Sequence, residues 1–283
     1  MLTLPAPAKV NLFLHINGKR ADGYHDLETM FQLLDYGDAL SFSPIDSGAI
    51  ELKTNIPEIE NDENLVVKAA KMMQKLSEHP TGIKINLHKN LPMGGGVGGG
   101  SSDAATTLLG LNHLWKSNLG IEKLANIGLE LGADVPVFVR GFTGFAKGVG
   151  EDLLPVQIPE YWYLVVTPQV LVSTGKIFTH PELTRDTAAI KIPPLAGERA
   201  GKCGNNDCLE VVEMLYPEVA EARSWMQQFS PSYMTGTGAS VFSQFATELE
   251  AKGVASKVPS RWHKFVARGV NQSPVHEKLF PSN

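Results

Sequence analysis

A mixed α/β fold is predicted by three observations. Residues 83–87, Ile-Lys-Ile-Asn-Leu, alternate apolar and polar as a half-buried strand does. Leu108, Leu109, Leu111, Leu114 and Trp115 then put apolar side chains on one helical face. Between them, six of the eight positions from Met93 to Gly100 are glycine. Glycine admits positive φ and lets main-chain N–H groups approach a ligand closely. Set just before a helix start, those groups and the helix dipole make a site for an anion, above all phosphate.

The other elements follow in chain order. Residues 10–16 are an apolar run after a start punctuated by Pro5 and Pro7, and predict a strand. Residues 18–26 are a polar turn, and 27–34 fit a second strand. Residues 40–43 and 50–52 alternate like the arms of a hairpin. Asp62, Glu63 and Asn64 mark a helix start, and Leu65, Val66, Ala69, Met72, Met73 and Leu76 follow as a core stripe at helical spacing. Ser101, Ser102 and Asp103 are suited to cap the helix after the glycines. Residues 121–131 predict a further helix with Gly132 as its C-terminal glycine, and 142–146 a strand. The stretch 151–160, with Pro155 and Pro159, is the expected join between two domains, 1–155 and 156–283. Beyond it, 161–167 predict an apolar strand. Residues 207–215 and 218–229 predict helices divided by Pro217. Residues 234–242 predict a glycine turn beside a strand, and 265–270 a last strand.

A chain of 283 residues, 43% hydrophobic, can bury an ample core. Its formal charge of −5 and isoelectric point near 5.9 give no support for nucleic-acid or anionic-membrane binding. No apolar run has the length of a membrane span, and residues 1–5 lack the basic and apolar regions of a secretory signal, so a cytoplasmic location is expected. Cys203 and Cys208 are too few for a structural zinc site without a nearby histidine pair, and are expected as reduced thiols. Nothing in the chain assigns an oligomeric state.

Two familiar phosphate loops do not fit the glycine stretch. A P-loop needs Gly-Lys-Ser/Thr at the helix start, and Gly100 is followed directly by Ser101. Gly94, Gly96 and Gly99 match the dinucleotide spacing. However, residues 89–93 separate them from the strand, and no strand ending in an acidic residue follows at the usual distance. Other candidates have ordinary readings when taken singly. Lys9 can be a solvated strand end, and Asn11 a structural hydrogen-bonding group. Asp134 can be a turn or capping residue, or a base aimed at a hydroxyl. Tyr24 and His25 can belong to a surface turn, or form an edge that stacks on a flat ligand.

Together these residues resemble the GHMP kinase superfamily (galactose, homoserine, mevalonate and phosphomevalonate kinases). Its three motifs occur here in order: Pro-Ala-Lys-Val-Asn-Leu at 7–12, the glycine-rich segment at 92–105, and Thr-Gly-Thr-Gly-Ala-Ser-Val-Phe at 235–242. Segments 23–31, 132–138, 177–187, 206–210 and 269–274 are similar to one branch of it. That branch acts on a cytidine-diphosphate-linked sugar alcohol in isoprenoid precursor synthesis. The resemblance implies a two-domain fold with the active site in the interdomain cleft, and phosphoryl transfer from ATP, with Mg2+, to an alcohol. It implies that ATP lies against Pro92, Met93, Gly94, Gly95, Gly96, Val97, Gly98, Gly99, Gly100, Ser101 and Ser102, with Asn64, Leu65 and Lys89 nearby. Asp134 becomes the base and Lys9 its charged partner. Asn11 binds the sugar-alcohol end and Thr174 contacts the acceptor. Tyr24 and Phe178 sandwich the cytosine, and His25 hydrogen-bonds it. Some relatives hold magnesium with a glutamate that cannot be placed here; Ser101 or Ser102 is the local candidate ligand. Two alternatives stand beside this one. A GHMP kinase for homoserine or a mevalonate derivative is disfavoured by the tyrosine–histidine turn, since those acceptors carry no base. A non-catalytic nucleotide-binding protein is disfavoured by Lys9, Asp134 and the uninterrupted glycine loop.

Overall fold

The structure is a computed structural model that describes residues 1–148, 152–191, 193, 196–197 and 199–281. The first part of the chain runs β1 (Leu2–Lys19), β2 (His25–Ile45), β3 (Ile50–Thr54), α1 (Leu65–Leu76), β4 (Gly82–His88) and α2 (Gly99–Leu114). It continues through α3 (Ile121–Leu129), α4 (Val135–Arg140), β5 (Gly144–Gly148) and β6 (Asp152–Pro155). The remainder is β7 (Trp162–Thr167), α5 (Thr174–Thr179), α6 (Leu209–Leu215), α7 (Pro217–Gln227), β8 (Tyr233–Met234), β9 (Val241–Phe245), α8 (Glu248–Ala255), β10 (His263–Val270) and α9 (Pro274–Leu279). The chain is therefore α/β, as expected.

β2 is the spine of the sheet. β1 pairs antiparallel along it, from Leu2 opposite Phe42 to Lys19 opposite His25. On its other side β2 meets β5 through residues 27–31, β10 through Leu33 and Leu34, and β4 through residues 39–45. Pairing then continues from β10 to β7, β9 and β8. Register shifts between Pro7 and Lys9 and between Asn11 and Leu14 bracket the short segment that carries Lys9 and Asn11. Bulges of this kind bend a strand and re-aim its side chains.

Several expectations are corrected. Residues 27–34 and 40–43 belong to one strand of 21 residues. The hairpin between 40–43 and 50–52 does not form: β4 takes the place beside β2, and β3 pairs parallel to β4 from its far side. β3, α1 and β4 thus form a crossover unit, which a local alternation pattern cannot distinguish from a hairpin. α2 begins at Gly99, two residues before the expected caps. Its N-cap is Gly98 in the left-handed conformation, without a side-chain cap bond. Nor is α2 one-faced, since every residue from Ser102 to Leu111 is buried. The C-cap of α3 is Glu130, and Gly132 has no positive φ. In the expected join, Glu151 lies outside the described residues, and 152–155 form β6 against β5. The short helices α5, α8 and α9 had no counterpart in the sequence reading, although Thr247 and Glu250 form a capping box at α8.

One core lies between the sheet and α1–α4, joining Leu33, Leu40 and Phe42 to Met73, Leu108 and Leu111. α9 returns from the C-terminal end to seal it with Val275 and Leu279. Another joins Leu164 and Val166 of β7 to Val211, Val219, Met226 and Trp262. Cys203 and Cys208 are both free thiols. Leu33 is fully buried where β2 pairs with both β1 and β10. Leu33→Ala is expected to destabilise the fold by about 2–5 kcal/mol. Urea denaturation measures this; an unchanged midpoint would show that β2 does not hold the two halves together.

Candidate active site

The three glycine- and lysine-bearing segments meet at one cavity of about 730 Å³. Lys9 and Asn11 enter it from β1, and Thr29 and Phe31 from β2. Pro92 through Ser101 form one wall, Asp134 stands at the start of α4, Thr174 and Phe178 come from α5, and Gly236–Gly238 close the far side.

Lys9 organises the centre. Its side chain is almost fully buried, and its ammonium donates to Asn11 Oδ1 at 2.7 Å and to the Gly96 carbonyl at 3.0 Å. Asp134 Oδ2 is 3.3 Å away, and the Phe31 ring lies beneath at 5.4 Å. The Lys9 amide also donates to the Val97 carbonyl at 3.0 Å. Asn11 Nδ2 donates to Thr29 Oγ1, which donates to the Phe13 carbonyl. From the opposite half of the chain, the Thr235 hydroxyl reaches Asn11 Oδ1 at 3.2 Å and accepts from the Asn11 amide at 2.9 Å. Asp134 makes no capping bond to α4, so its partly exposed carboxylate is committed to Lys9 and the cavity.

The glycine turn is shaped by what it touches. Gly94, Gly96 and Gly98 all have positive φ. A Cβ on Gly96 would stand 2.5 Å from the Thr235 carbonyl oxygen, and one on Gly98 2.7 Å from the Phe138 ring. The first i→i−4 bond of α2 runs from the Ser102 amide to the Gly98 carbonyl. The amides of Gly99, Gly100 and Ser101 therefore precede the helical ladder and are available to an anion.

Below the turn lies a buried ion cluster that the sequence reading missed. Lys89 donates to Asp38 and, at 2.7 Å, to Asp103 Oδ2. Asp38 Oδ1 accepts the amides of Asn90 and Leu91. Both carboxylates and the ammonium are all but sealed from solvent. Burial works against the Lys89 charge, but the two carboxylates outweigh it and hold the ammonium above the ordinary lysine value. Burial pushes the Asp103 carboxyl up to about 7 against the pull of Lys89, and Asp38 adds to the rise. Asp103, expected as a cap, is instead an anchor for Lys89.

Of the expected site residues, Lys9, Asn11, Asn64, Leu65, Lys89, Pro92–Ser101, Asp134, Thr174 and Phe178 all line the cavity. The Asn64 side chain is already engaged, capping α1 and donating to the Ile59 carbonyl. Ser102 is fully buried, its hydroxyl without a partner among the described residues, and it does not line the cavity. Tyr24, 65% exposed on its turn, and His25 also lie outside the lining. His25 stacks on Phe178, with ring centroids 5.2 Å apart and planes at 28°. Arg185 Nε donates to His25 Nε2 at 3.2 Å, a contact absent from the sequence reading. Burial first, then the charges of Arg185 and Lys19, hold the His25 imidazole below its ordinary value. Among the described residues, no group of three or more His, Cys, Asp or Glu side chains could hold a metal ion. Thr29 and Phe31 could have been found only through their pairing across the site, whereas Thr235 heads the third motif.

Comparison with known proteins gives a consistent result. A family model described as GHMP kinases N terminal domain matches residues 64–142, and one described as GHMP kinases C terminal matches 192–264. A Pseudomonas paraeruginosa protein named 4-diphosphocytidyl-2-C-methyl-D-erythritol kinase is 54% identical over 279 residues, covering 98% of this chain and 97% of its own. A Marinobacter nauticus protein of the same name is 53% identical over 281 residues, with the same coverage. A crystal structure of 4-(cytidine 5'-diphospho)-2C-methyl-D-erythritol kinase superposes with a TM-score of 0.81 at 30% identity, covering 95% of this chain and 99% of that one. A mevalonate kinase structure, at 15% identity and a TM-score of 0.68, covers 96% of this chain and 100% of its own, and shares the fold.

The buried cluster generates a pH test. An aspartate raised from 3.8 to about 7 binds a proton in the folded chain that the unfolded chain releases. Its stabilising contribution is complete below the unfolded value and is lost as pH rises through about 7. The stability of wild type relative to Asp103→Asn is therefore expected to fall as pH rises from about 4 to about 7. Urea midpoints across that range measure it, and a flat difference would remove the raised carboxyl.

Proposed function

Because the chain belongs to the GHMP kinase superfamily and, within it, to the family of 4-diphosphocytidyl-2-C-methyl-D-erythritol kinases, we propose that it transfers the γ-phosphoryl group of ATP to the 2-hydroxyl of 4-diphosphocytidyl-2-C-methyl-D-erythritol. The observation that carries this reading is the Lys9–Asp134 pair, held at 3.3 Å beside the glycine turn in one cavity.

The residues fit a bound nucleotide. The left-handed glycines let the turn pack against Thr235 and Phe138, where a Cβ has no room, and the free amides at the start of α2 suit phosphate oxygens. Bound there, ATP supplies the transferable phosphoryl group. A Mg2+ ion belongs to the same proposal; with so few acidic donors nearby, phosphate oxygens and water would fill most of its sphere, and the Ser101 hydroxyl is the protein group offered.

The acceptor is a tertiary alcohol, a poor nucleophile while it keeps its proton. In this proposal the Asp134 carboxylate takes that proton as the bond to phosphorus develops, a contribution of about 10²–10⁴-fold. Lys9 holds Asp134 and the Gly96 carbonyl at fixed distances and places positive charge beside the reacting oxygen. Phosphoryl transfer passes through a loose transition state, so alignment outweighs proton removal. Holding the two reactants in line contributes roughly 7–11 kcal/mol. Asn11 and Thr174 would contact the sugar alcohol, and Phe178, His25 and Tyr24 the cytosine. Action on small molecules in the cytoplasm is part of the same reading; among the described residues no helix is long and apolar enough to cross a membrane.

ADP release, measured with the cytidine acceptor beside homoserine and mevalonate, tests the assignment. Turnover with the cytidine compound is expected, and turnover only with another alcohol would overturn it. Asp134→Ala is expected to lower kcat by about 10²-fold or more while ATP affinity stays close to wild type. Near-wild-type kcat would take Asp134 out of the chemistry. Gly98→Ala must strain a positive φ and press on Phe138 and Lys9, so ATP affinity is expected to fall about tenfold or more. Calorimetry checks this, and an unaltered Kd would place the phosphates away from the turn.

A further inference from the structure

The geometry points to Arg185 as a positioning residue for base choice: by donating to His25 Nε2 it leaves Nδ1–H as the ring's available donor, which suits the N3 acceptor of cytosine and opposes the N3–H donor of uracil. This inference rests on the kinase reading above.

Arg185 follows α5 in the chain, and its guanidinium is spent on local contacts. Its Nη1 donates to the Leu183 carbonyl at 2.9 Å, and its Nη2 to the carbonyls of Phe178 at 3.0 Å and His180 at 2.7 Å. Nε is left to face His25 Nε2 at 3.2 Å. An arginine offers only donors and stays charged, so the nitrogen that faces it has to be an acceptor. A neutral imidazole has one acceptor and one donor, which puts the proton on Nδ1. A doubly protonated ring would set donor against donor and charge against charge. Burial and the neighbouring charges of Arg185 and Lys19 oppose that form as well. Among the described residues Nδ1 has no hydrogen-bond partner, and it is not one of the sealed, partnerless polar atoms.

The same guanidinium fixes the ring beside it. Its bond to the Phe178 carbonyl holds the end of α5, and the Phe178 ring both lines the cavity and stacks on His25. His25 covers one face of Phe178, so a base that takes the His25 hydrogen bond would lie alongside this ring pair and meet a donor of set identity. Cytosine answers that donor with a lone pair at N3. Uracil brings a second N–H, and two donors would be left facing each other unpaired.

The test uses the full-length wild type first. ¹⁵N spectra of the His25 ring near neutral pH are expected to show Nδ1 protonated and Nε2 bare. An Nε2–H tautomer or an imidazolium would overturn the inference without recourse to any variant. Arg185→Gln removes the charge and can present either a donor or an acceptor to Nε2. It is expected to give mixed tautomers and raise KM for the cytidine acceptor about tenfold with kcat within about twofold. The same variant is expected to narrow the preference over the uridine analogue about tenfold. An unaltered KM and preference, or a loss confined to kcat, would also overturn it. If wild type fails to turn over the cytidine acceptor, the kinase reading falls, and with it the meaning given to the tautomer; the ring spectrum itself does not depend on that outcome.

Discussion

The ammonium of Lys9 is the contact on which the site depends. A cation this deeply buried has to be paired or its desolvation is not offset. Its partners come from separate parts of the chain: Asn11 on its own strand, the Gly96 carbonyl on the glycine turn, and Asp134 at the head of α4. Satisfying that one charge therefore fixes the distance between the glycine turn and the only acidic side chain committed to Lys9 among the described residues. Thr235 ties the C-terminal half to the same point through Asn11. The bulges on either side of Lys9 and Asn11 are the backbone's share in this arrangement.

The glycine turn is held from beneath by a second lysine with a different task. Lys89 is clamped by Asp38 and Asp103, and Asp38 also accepts the amides that lead into the turn. A buried triad of this kind is a weak source of net stability but a strong specifier of geometry, because removing Lys89 leaves two carboxylates buried without a cation. Here it fixes the end of β4 relative to the first turns of α2. α2 in turn is buried on all sides, so its N-terminus cannot shift without repacking the core of which it is the axis. The free amides at its start are preorganised for the same reason.

Much of this could be read before folding was considered. The glycine turn between a strand and a helix, the apolar stripe of α1 with Asn64 at its head, and the apolar β7 all follow from local pattern. Other elements resisted for physical reasons. Residues 35–39, Asp-Tyr-Gly-Asp-Ala, interrupt the two apolar runs read as separate strands. In the sheet Asp38 is buried because Lys89, fifty-one residues away, neutralises it. Ser101, Ser102 and Asp103 have the chemistry of caps, but left-handed Gly98 starts the helix earlier and carries them inside. Residues 40–43 and 50–52 looked like a hairpin, and β4 takes the place between them, because alternation reports burial and says nothing about which strand lies alongside.

What the sequence determined by itself was chemistry: which residues could cradle a phosphate, carry a buried charge or accept a proton. Those properties belong to single side chains and to backbone freedom, and they survive in any context. What the tertiary structure alone decided was partnership: Lys9 with Asp134, Lys89 with Asp38 and Asp103, Arg185 with His25. Each pair joins residues far apart in the chain, and the energy of an ion pair or hydrogen bond depends on distance and exclusion of water. Neither quantity exists until the sheet and its helices have closed around it.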